Sequence, residues 1–316
     1  MSRKEVIPVT DKDSWLKGRV QDVTSTEVSA LFSMNPYVTE FELFHRKRDK
    51  VIADFAPSQR MKWGLRLEGS IAAGAAEEMG WTIAPMGVYM RDADNRIGSS
   101  FDFQITNQSS VGICEVKNVG ADQFNKSWID HGDGNIEAPP HIELQVQHQL
   151  LVSDLEWAAI VALVGGNELH VAIRRRDEQI SKKIIAAVAV FWARVEDNKP
   201  PSADYSRDAD FILQQLSSNV NAGESIVADE SMEQLLENYR KASEELDAAE
   251  ARKNAAKAEF LTKAGTASRV LSRTGTVSCG LSKSTPPKLI TPDMVGQPIG
   301  GRSGYRMFRY NKKEMQ

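Results

Sequence analysis

The sequence predicts a mixed α/β fold, a central mixed β-sheet flanked by helices, with a long helix and a basic tail after it. Three observations carry that prediction. Helix and strand signals alternate from the N-terminus to about Pro201. An apolar three–four rhythm then runs from Met232 to Phe260. The last fifty residues are rich in Gly, Ser, Thr and Pro and carry most of the excess positive charge.

Taken in order, Thr24-Ser-Thr-Glu27 resembles a capping box opening a short helix through Leu31 and Phe32, stopped at Asn35-Pro36. Thr39 caps a second helix through Phe41, Leu43 and Phe44. Met61 to Met79 reads as a helix, with Trp63, Leu67, Ile71 and Ala75 on one face and Gly80 ending it. Strands follow near 81–90, 97–106 and 111–118, separated by the turn-prone Asp92-Ala-Asp-Asn95 and Asn107-Gln-Ser-Ser110. Pro139-Pro140 precedes a helix from Ile142 to Val152. Ala158–Val164 and Glu168–Arg174 form a strand pair around Gly165-Gly-Asn167, and Gln179–Val195 is helical. Lys199-Pro-Pro201 closes this region.

The expected organisation is a catalytic-size domain over 1–201, a linker with a weak helix over 202–228, a long helix over 229–263 and a basic tail over 264–316. In the long helix Met232, Leu235, Tyr239, Ala242, Leu246, Ala249, Lys253, Ala256 and Phe260 fall on heptad positions. It pairs with itself, with a partner or with the body, or stands alone in solvent. Val270–Cys279 and Tyr305–Tyr310 read as short strands.

Composition narrows the function. At 316 residues, 41% hydrophobic and 26% charged, the chain has an ordinary globular make-up. No apolar run approaches the roughly 18 residues of a membrane span, and no apolar stretch follows the N-terminus as in a secretory leader. Two cysteines, Cys114 and Cys279, exclude a disulfide scaffold and a cysteine-rich metal site, and the expected compartment is a reducing cytoplasm. The net charge of −4 hides an asymmetry: from Ala264 onward nine Lys/Arg stand against two acidic residues, net +7, which leaves −11 on the rest. Such a tail suits an anionic partner such as nucleic acid, or is simply solvated.

The chemistry centres on Glu115-Val116-Lys117, thirteen residues after Asp102. In a strand, residues i and i+2 share a face, so Glu115 and Lys117 point one way and Cys114 and Val116 the other. The same rule puts Phe101, Phe103 and Ile105 on one face and Asp102 on the opposite one. Two carboxylates and an ammonium thus converge, as a divalent cation beside an activated water requires. Glu68 lies on the preceding helix. Gln145 and Gln149 lie one turn apart on the following one, Gln149 being read as a surface neighbour. Oxygen-only ligands favour Mg²⁺ or Mn²⁺ over zinc. Trp15, Trp63 and Trp192 are read as core packing, and the five histidines show no metal-ligand spacing.

Taken with Trp15-Leu-Lys-Gly-Arg19, Val23-Thr-Ser-Thr-Glu-Val28 and Ala189-Val-Phe-Trp192, these segments resemble the YqaJ-like viral recombinase family. Its members are phage alkaline exonucleases similar to lambda exonuclease, within the PD-(D/E)xK nuclease superfamily. The resemblance spans about Trp15 to Pro201 and implies a restriction-endonuclease-like core. It further implies Asp102, Glu115 and the Val116 carbonyl as metal ligands, with Glu68 extending the site. Lys117 then orients or deprotonates the attacking water, Gln145 positions nucleophile or substrate, and Arg19 with Thr26 holds a 5′-terminal phosphate. Phe101 stands where the superfamily name has proline. Arg174, Arg175 and Arg176, and Arg302, Arg306 and Arg309 in the tail, are candidates for DNA backbone contact.

The implied function is Mg²⁺-dependent digestion of linear duplex DNA from the 5′ end, Mn²⁺ substituting. The product is a 3′ single strand for recombination by annealing. Implied partners are DNA ends, a single-strand annealing protein and further copies of the chain, up to a ring trimer, with no membrane. The implied source is a phage or prophage acting in a bacterial cytoplasm. The alternatives are an endonuclease or repair nuclease of the same superfamily, and a non-catalytic DNA-binding recombination factor. An iron–sulfur Cas4-like nuclease is disfavoured by the cysteine count.

Overall fold

A computed structural model of the chain describes residues 4–9, 12–51, 58–132, 135–214, 223–273 and 275–280. It divides into two units, Met1–Leu216 and Ser217–Gln316. Arg302, Arg306, Arg309 and the Tyr305–Tyr310 segment lie outside the described residues, as does the side chain of Trp15.

The first unit runs β1 (Lys4–Pro8), α1 (Lys12–Gln21), β2 (Val23–Thr24), a 3₁₀ turn at Val28–Phe32, α2 (Glu40–Arg48) and α3 (Gln59–Met79). Four strands follow: β3 (Thr82–Pro85), β4 (Val88–Asp92), β5 (Ile97–Ser100) and β6 (Phe103–Thr106). Next come β7 (Val111–Val119), α4 (Ala121–Ser127) and the short β8 (Ile129–Asp130) and β9 (Ile136–Glu137). The unit closes with α5 (Pro140–Ser153), β10 (Trp157–Val164), β11 (Glu168–Arg175), α6 (Glu178–Glu196) and α7 (Tyr205–Gln214).

A five-stranded sheet in the order β11-β10-β7-β6-β3 forms the centre, and a four-stranded sheet β1-β4-β5-β2 lies in the same unit. The larger sheet is mixed: β7 and β10 are parallel and the other pairs antiparallel. Its two faces carry separate cores. Ile113, Val119, Ala158, Ile160 and Ala162 pack toward α5 and α6. Cys114, Val116, Ala159 and Val161 pack with Ile71, Ala72 and Ala75 of α3. A strand covered on both faces has to be apolar at every position, and Trp157-Ala-Ala-Ile-Val-Ala-Leu-Val164 is.

The helix ends follow local chemistry. The Ser58 side chain accepts the Met61 amide, and α3 stops at Gly80, whose φ of 65° is cheap only without a Cβ. Pro140 sits in the first turn of α5, where its missing N–H costs nothing. Asp177 accepts the amides of Gln179 and Ile180 at the start of α6.

Several expectations need correction. The stretch 97–106 is two strands in two sheets. Phe101 packs in the core on the α5 side and Phe103 against the α3 side, so they do not share a face. The stretch 81–90 likewise splits, at Met86-Gly87, into β3 of one sheet and β4 of the other. Thr24 pairs as a strand rather than capping a helix, and its amide and hydroxyl both reach the Glu27 carboxylate. Trp63 is 52% exposed, whereas Trp192 is buried and donates its Nε1–H to the Arg96 carbonyl. Within 202–228, α7 packs on α2: the Asp208 side chain accepts from Thr39 Oγ1 at 2.5 Å, and Phe211 meets Phe41 and His45.

In the second unit, α8 (Glu230–Ala264) is a 35-residue helix capped by Asp229, which accepts the Met232 amide. A hairpin of β12 (Arg269–Ser272) and β13 (Gly275–Ser278) follows.

Candidate active site

Glu115 and Lys117 project from β7 on the same side as Ile113 and Val119, toward α5. Glu115 is buried and is held from three directions. Its Oε1 accepts from Lys117 Nζ at 2.5 Å and from Gln145 Nε2 at 2.6 Å, and its Oε2 from Gln149 Nε2 at 2.7 Å. Lys117 also donates to Gln145 Oε1 at 3.2 Å. Gln149 is therefore no surface residue. At 1% exposed it spans Glu115 and the Ser100 carbonyl, and it belongs to the site. Burial alone would lower the Lys117 pKa, but the Glu115 and Asp102 carboxylates outweigh it and raise the ammonium above its ordinary value.

Asp102 sits where the chain passes from one sheet to the other. Its Oδ2 accepts the Val116 amide at 2.9 Å, which ties the end of β5 to the middle of β7. Burial first, then the charges of Glu115 and Glu68, push its carboxyl well above the usual range. Glu68, half-buried on α3, is raised by burial and then by Glu115. Three carboxylates thus influence one another beside a single ammonium.

That crowding is the test of whether a cation fits. Among the described residues no three His, Cys, Asp or Glu side chains stand in a ready-made metal cage. The donor chemistry nevertheless suits a hard divalent ion: oxygen ligands only, mutually repelling and partly stripped of water. Glu115 Oε1 faces lysine and glutamine donors, so the fit runs through Asp102, Glu68 and the remaining lone pairs of Glu115.

A second cluster forms around Arg19. Its Nη2 donates to Thr26 Oγ1 at 3.1 Å and to Thr24 Oγ1 at 3.4 Å, at a partly open position. Beneath it Lys47 is 5% exposed, and its Nζ donates to the carbonyls of Arg19 and Asp22 and to Glu27 Oε2, each at 2.7 Å. Burial would raise the Glu27 carboxyl, yet Lys47 and Arg19 overcome it and hold it below the ordinary value. Lys47 itself is lowered by burial, Glu27 opposing. Next to this group the Asp22 carboxylate takes Tyr89 Oη at 3.0 Å and both Nε and Nη2 of Arg91 at 3.0 and 2.8 Å. Neither Lys47 nor Asp22 was singled out from sequence. Lys47 lies in the basic run His45-Arg-Lys-Arg48.

The basic run at the end of β11 is engaged with acids. Arg174 forms paired bonds to Glu143, at 2.7 and 2.8 Å, and reaches the Ile136 carbonyl, while Arg176 pairs with Glu178 and Asp154. Arg175 is exposed. A cleft of about 490 Å³ lies at the C-terminal end of β7, between Arg60 of α3, Asn118, Lys126 of α4 and Gly165-Gly166. No helix among the described residues is long and apolar enough to cross a membrane.

Comparison with known proteins gives three findings. Residues 14–156 match the profile of the YqaJ-like viral recombinase domain. The uncharacterized protein YqaJ of Bacillus subtilis (strain 168) is 26% identical over 209 residues, covering 65% of this chain and 63% of that protein. The chain therefore spans less than two thirds of that relative's length. Among solved structures, an alkaline exonuclease from Laribacter hongkongensis aligns over 64% of this chain and 100% of its own, at 17% identity and a TM-score of 0.48. A phage-related exonuclease from Haemophilus somnus 129PT aligns over 56% and 96%, at 12% identity and a TM-score of 0.39.

Proposed function

Residues 14–156 being a YqaJ-like viral recombinase domain, we propose that this protein is a metal-dependent exonuclease. It would degrade linear double-stranded DNA from the 5′ end and leave a 3′ single strand for annealing. The observation that carries the reading is the convergence of Asp102, Glu115, Lys117 and Gln145 through the bonds described above, with Glu68 close enough to help raise the Asp102 carboxyl.

Asp102, Glu115, the Val116 carbonyl and Glu68 would hold Mg²⁺, with Mn²⁺ as a substitute. When bound, such an ion polarises the scissile phosphate and makes its bound water a better nucleophile. The chain's own groups do the positioning. Lys117, which Glu115 and Asp102 keep as an ammonium, orients the attacking water, and Gln145 fixes Lys117 through its Oε1 and Glu115 through its Nε2. Gln149 holds the far oxygen of Glu115, so that the carboxylate cannot rotate. Arg19, whose planar fork suits a phosphate, and Thr26 receive the 5′-terminal phosphate and select the end. Arg175 and the cleft residues Arg60 and Lys126 are better placed for backbone phosphates than Arg174 and Arg176, whose charges are already met by acids. The protein would act on DNA ends as an oligomer, a ring trimer included, alongside a single-strand annealing protein in the host cytoplasm.

The test is digestion of end-labelled linear duplex with Mg²⁺, using the full chain, Asp102→Ala and Lys117→Ala, on 5′-phosphate and 5′-hydroxyl ends. Wild type is expected to shorten the labelled 5′ strand, faster from a 5′ phosphate, and both variants to fail. Persistence of the duplex with wild type, or equal digestion by the variants, would sink the reading. Cleavage of closed circular DNA would point to an endonuclease instead.

A further inference from the structure

We infer that α8 is a homotypic pairing surface: it packs antiparallel against the α8 of a second copy of this chain. The apolar stripe that motivates this is regular and open. Met232, Leu235, Tyr239, Leu246 and Phe260 are 40, 64, 47, 66 and 36% exposed, and no residue of the helix is buried. They recur at alternating steps of three and four with Ala242, Ala249, Lys253 and Ala256 between them, four continuous heptads on one side of the helix. A helix of this length, about 52 Å, has to cover such a stripe to be more than marginal.

Charge selects the occupant and its direction. From Glu230 to Asp247 the helix carries six acidic and two basic residues, net −4. From Ala248 to Ala264 it carries two acidic and four basic residues, net +2. A parallel copy would set the acidic half on the acidic half and Lys253 beside Lys253. An antiparallel copy centred between Asp247 and Ala248 lays each half on its opposite. That register also resolves the packing. Leu246 faces Ala249 of the second copy and Tyr239 faces Ala256, large against small, while Lys253 meets only Ala242, whose methyl leaves its stem free to reach solvent. Leu235 meets Phe260 at either end. Flanking the centre, Glu245 of each copy falls beside Arg252 of the other. The pairing is independent of the nuclease reading, since it uses no residue of that site.

The experiment is sedimentation equilibrium of the full chain across a concentration series, for wild type, Glu245→Arg, Arg252→Glu and the double variant. Both positions are on an exposed helix surface, so the fold is retained, and far-ultraviolet circular dichroism checks it. Wild type is expected to associate reversibly. Each single replacement turns two attractive pairs into two repulsive ones and should weaken association by about tenfold. The double variant restores opposite charges and should return to within about threefold of wild type. In a parallel pair Glu245 and Arg252 would not meet, and the double variant would stay weak. Wild type that remains monomeric, singles that associate as wild type does, or a double variant that stays dissociated would each overturn the inference.

Discussion

Replacing Lys47 with methionine tests how the Arg19–Thr26 cluster is held. The change keeps the length and apolar body of the side chain and removes only its three donors. The carbonyls of Arg19 and Asp22 and the Glu27 carboxylate would then each lose a 2.7 Å bond in a place that water barely reaches. Removing one partner of a buried ion pair costs about 3–5 kcal/mol, because the other charge stays buried and uncompensated. Two bonds from Thr24, its amide and hydroxyl, still serve Glu27, so the lower half of that range is expected, about 3 kcal/mol. In a domain of this size that corresponds to a fall in Tm of about 10 °C. Urea unfolding of wild type, Lys47→Met, Glu27→Gln and the double variant measures it. The double variant should lose clearly less than the two singles added, since the uncompensated charge is gone. In the digestion assay Lys47→Met should narrow the preference for 5′-phosphate over 5′-hydroxyl ends, because Arg19 and Thr26 lose the floor that spaces them. A loss under about 1 kcal/mol together with an unchanged end preference would refute the argument.

Three further outcomes follow from the same structure. Gln149→Met removes the donor to Glu115 Oε2 without changing shape, and the turnover of DNA digestion should fall about 10–100-fold with KM little altered, in line with about 1.5–3 kcal/mol for a bond to a charged group; an unchanged turnover number would remove Gln149 from the site. His148 is fully buried between Ser99 and the Val23 carbonyl, and burial lowers its pKa from 6.5 to about 4. The unfolded chain binds this proton first, so stability present above pH 6.5 is lost as the pH falls toward 4, by about 3 kcal/mol, and chemical unfolding of His148→Gln should show a flatter slope in that window than wild type. Gly98→Ala would place a Cβ 2.1 Å from Tyr89 Oη and 2.8 Å from Asp22 Oδ2, so thermal melting should show about 1–3 kcal/mol of lost stability, and an unaltered Tm would contradict that close approach.

How far these groups can be read from sequence depends on what surrounds them. Glu115 and Lys117 follow from the pleat alone, because β7 is regular across both. Asp102 comes close to Glu115 by another route than the sequence suggests: the alternation through 101–106 reads as one strand, but the chain changes sheets there, and hydropathy carries no mark of that change. Gln149 offers a signal that goes unused. A helix bearing Gln145, Gln147, His148 and Gln149 among Ile142, Val146 and Leu150 buries polar groups, and each then needs a partner. Lys47 offers none, because a buried lysine and a solvated one look alike in a basic run. The packing of α7 on α2 through Asp208 and Phe211 is equally hidden, since contacts across more than 160 residues leave no local pattern.

The change of sheet at Phe101-Asp102-Phe103 has one more consequence. The carboxylate is moored between two aromatic anchors set in opposite cores, like a bead on a wire stretched between two walls. Loosening either wall, by a cavity near Phe101 or one near Phe103, slackens the wire before either sheet comes apart. Activity should therefore fade with warming earlier than the fold does, and substitutions far from the chemistry should register there first.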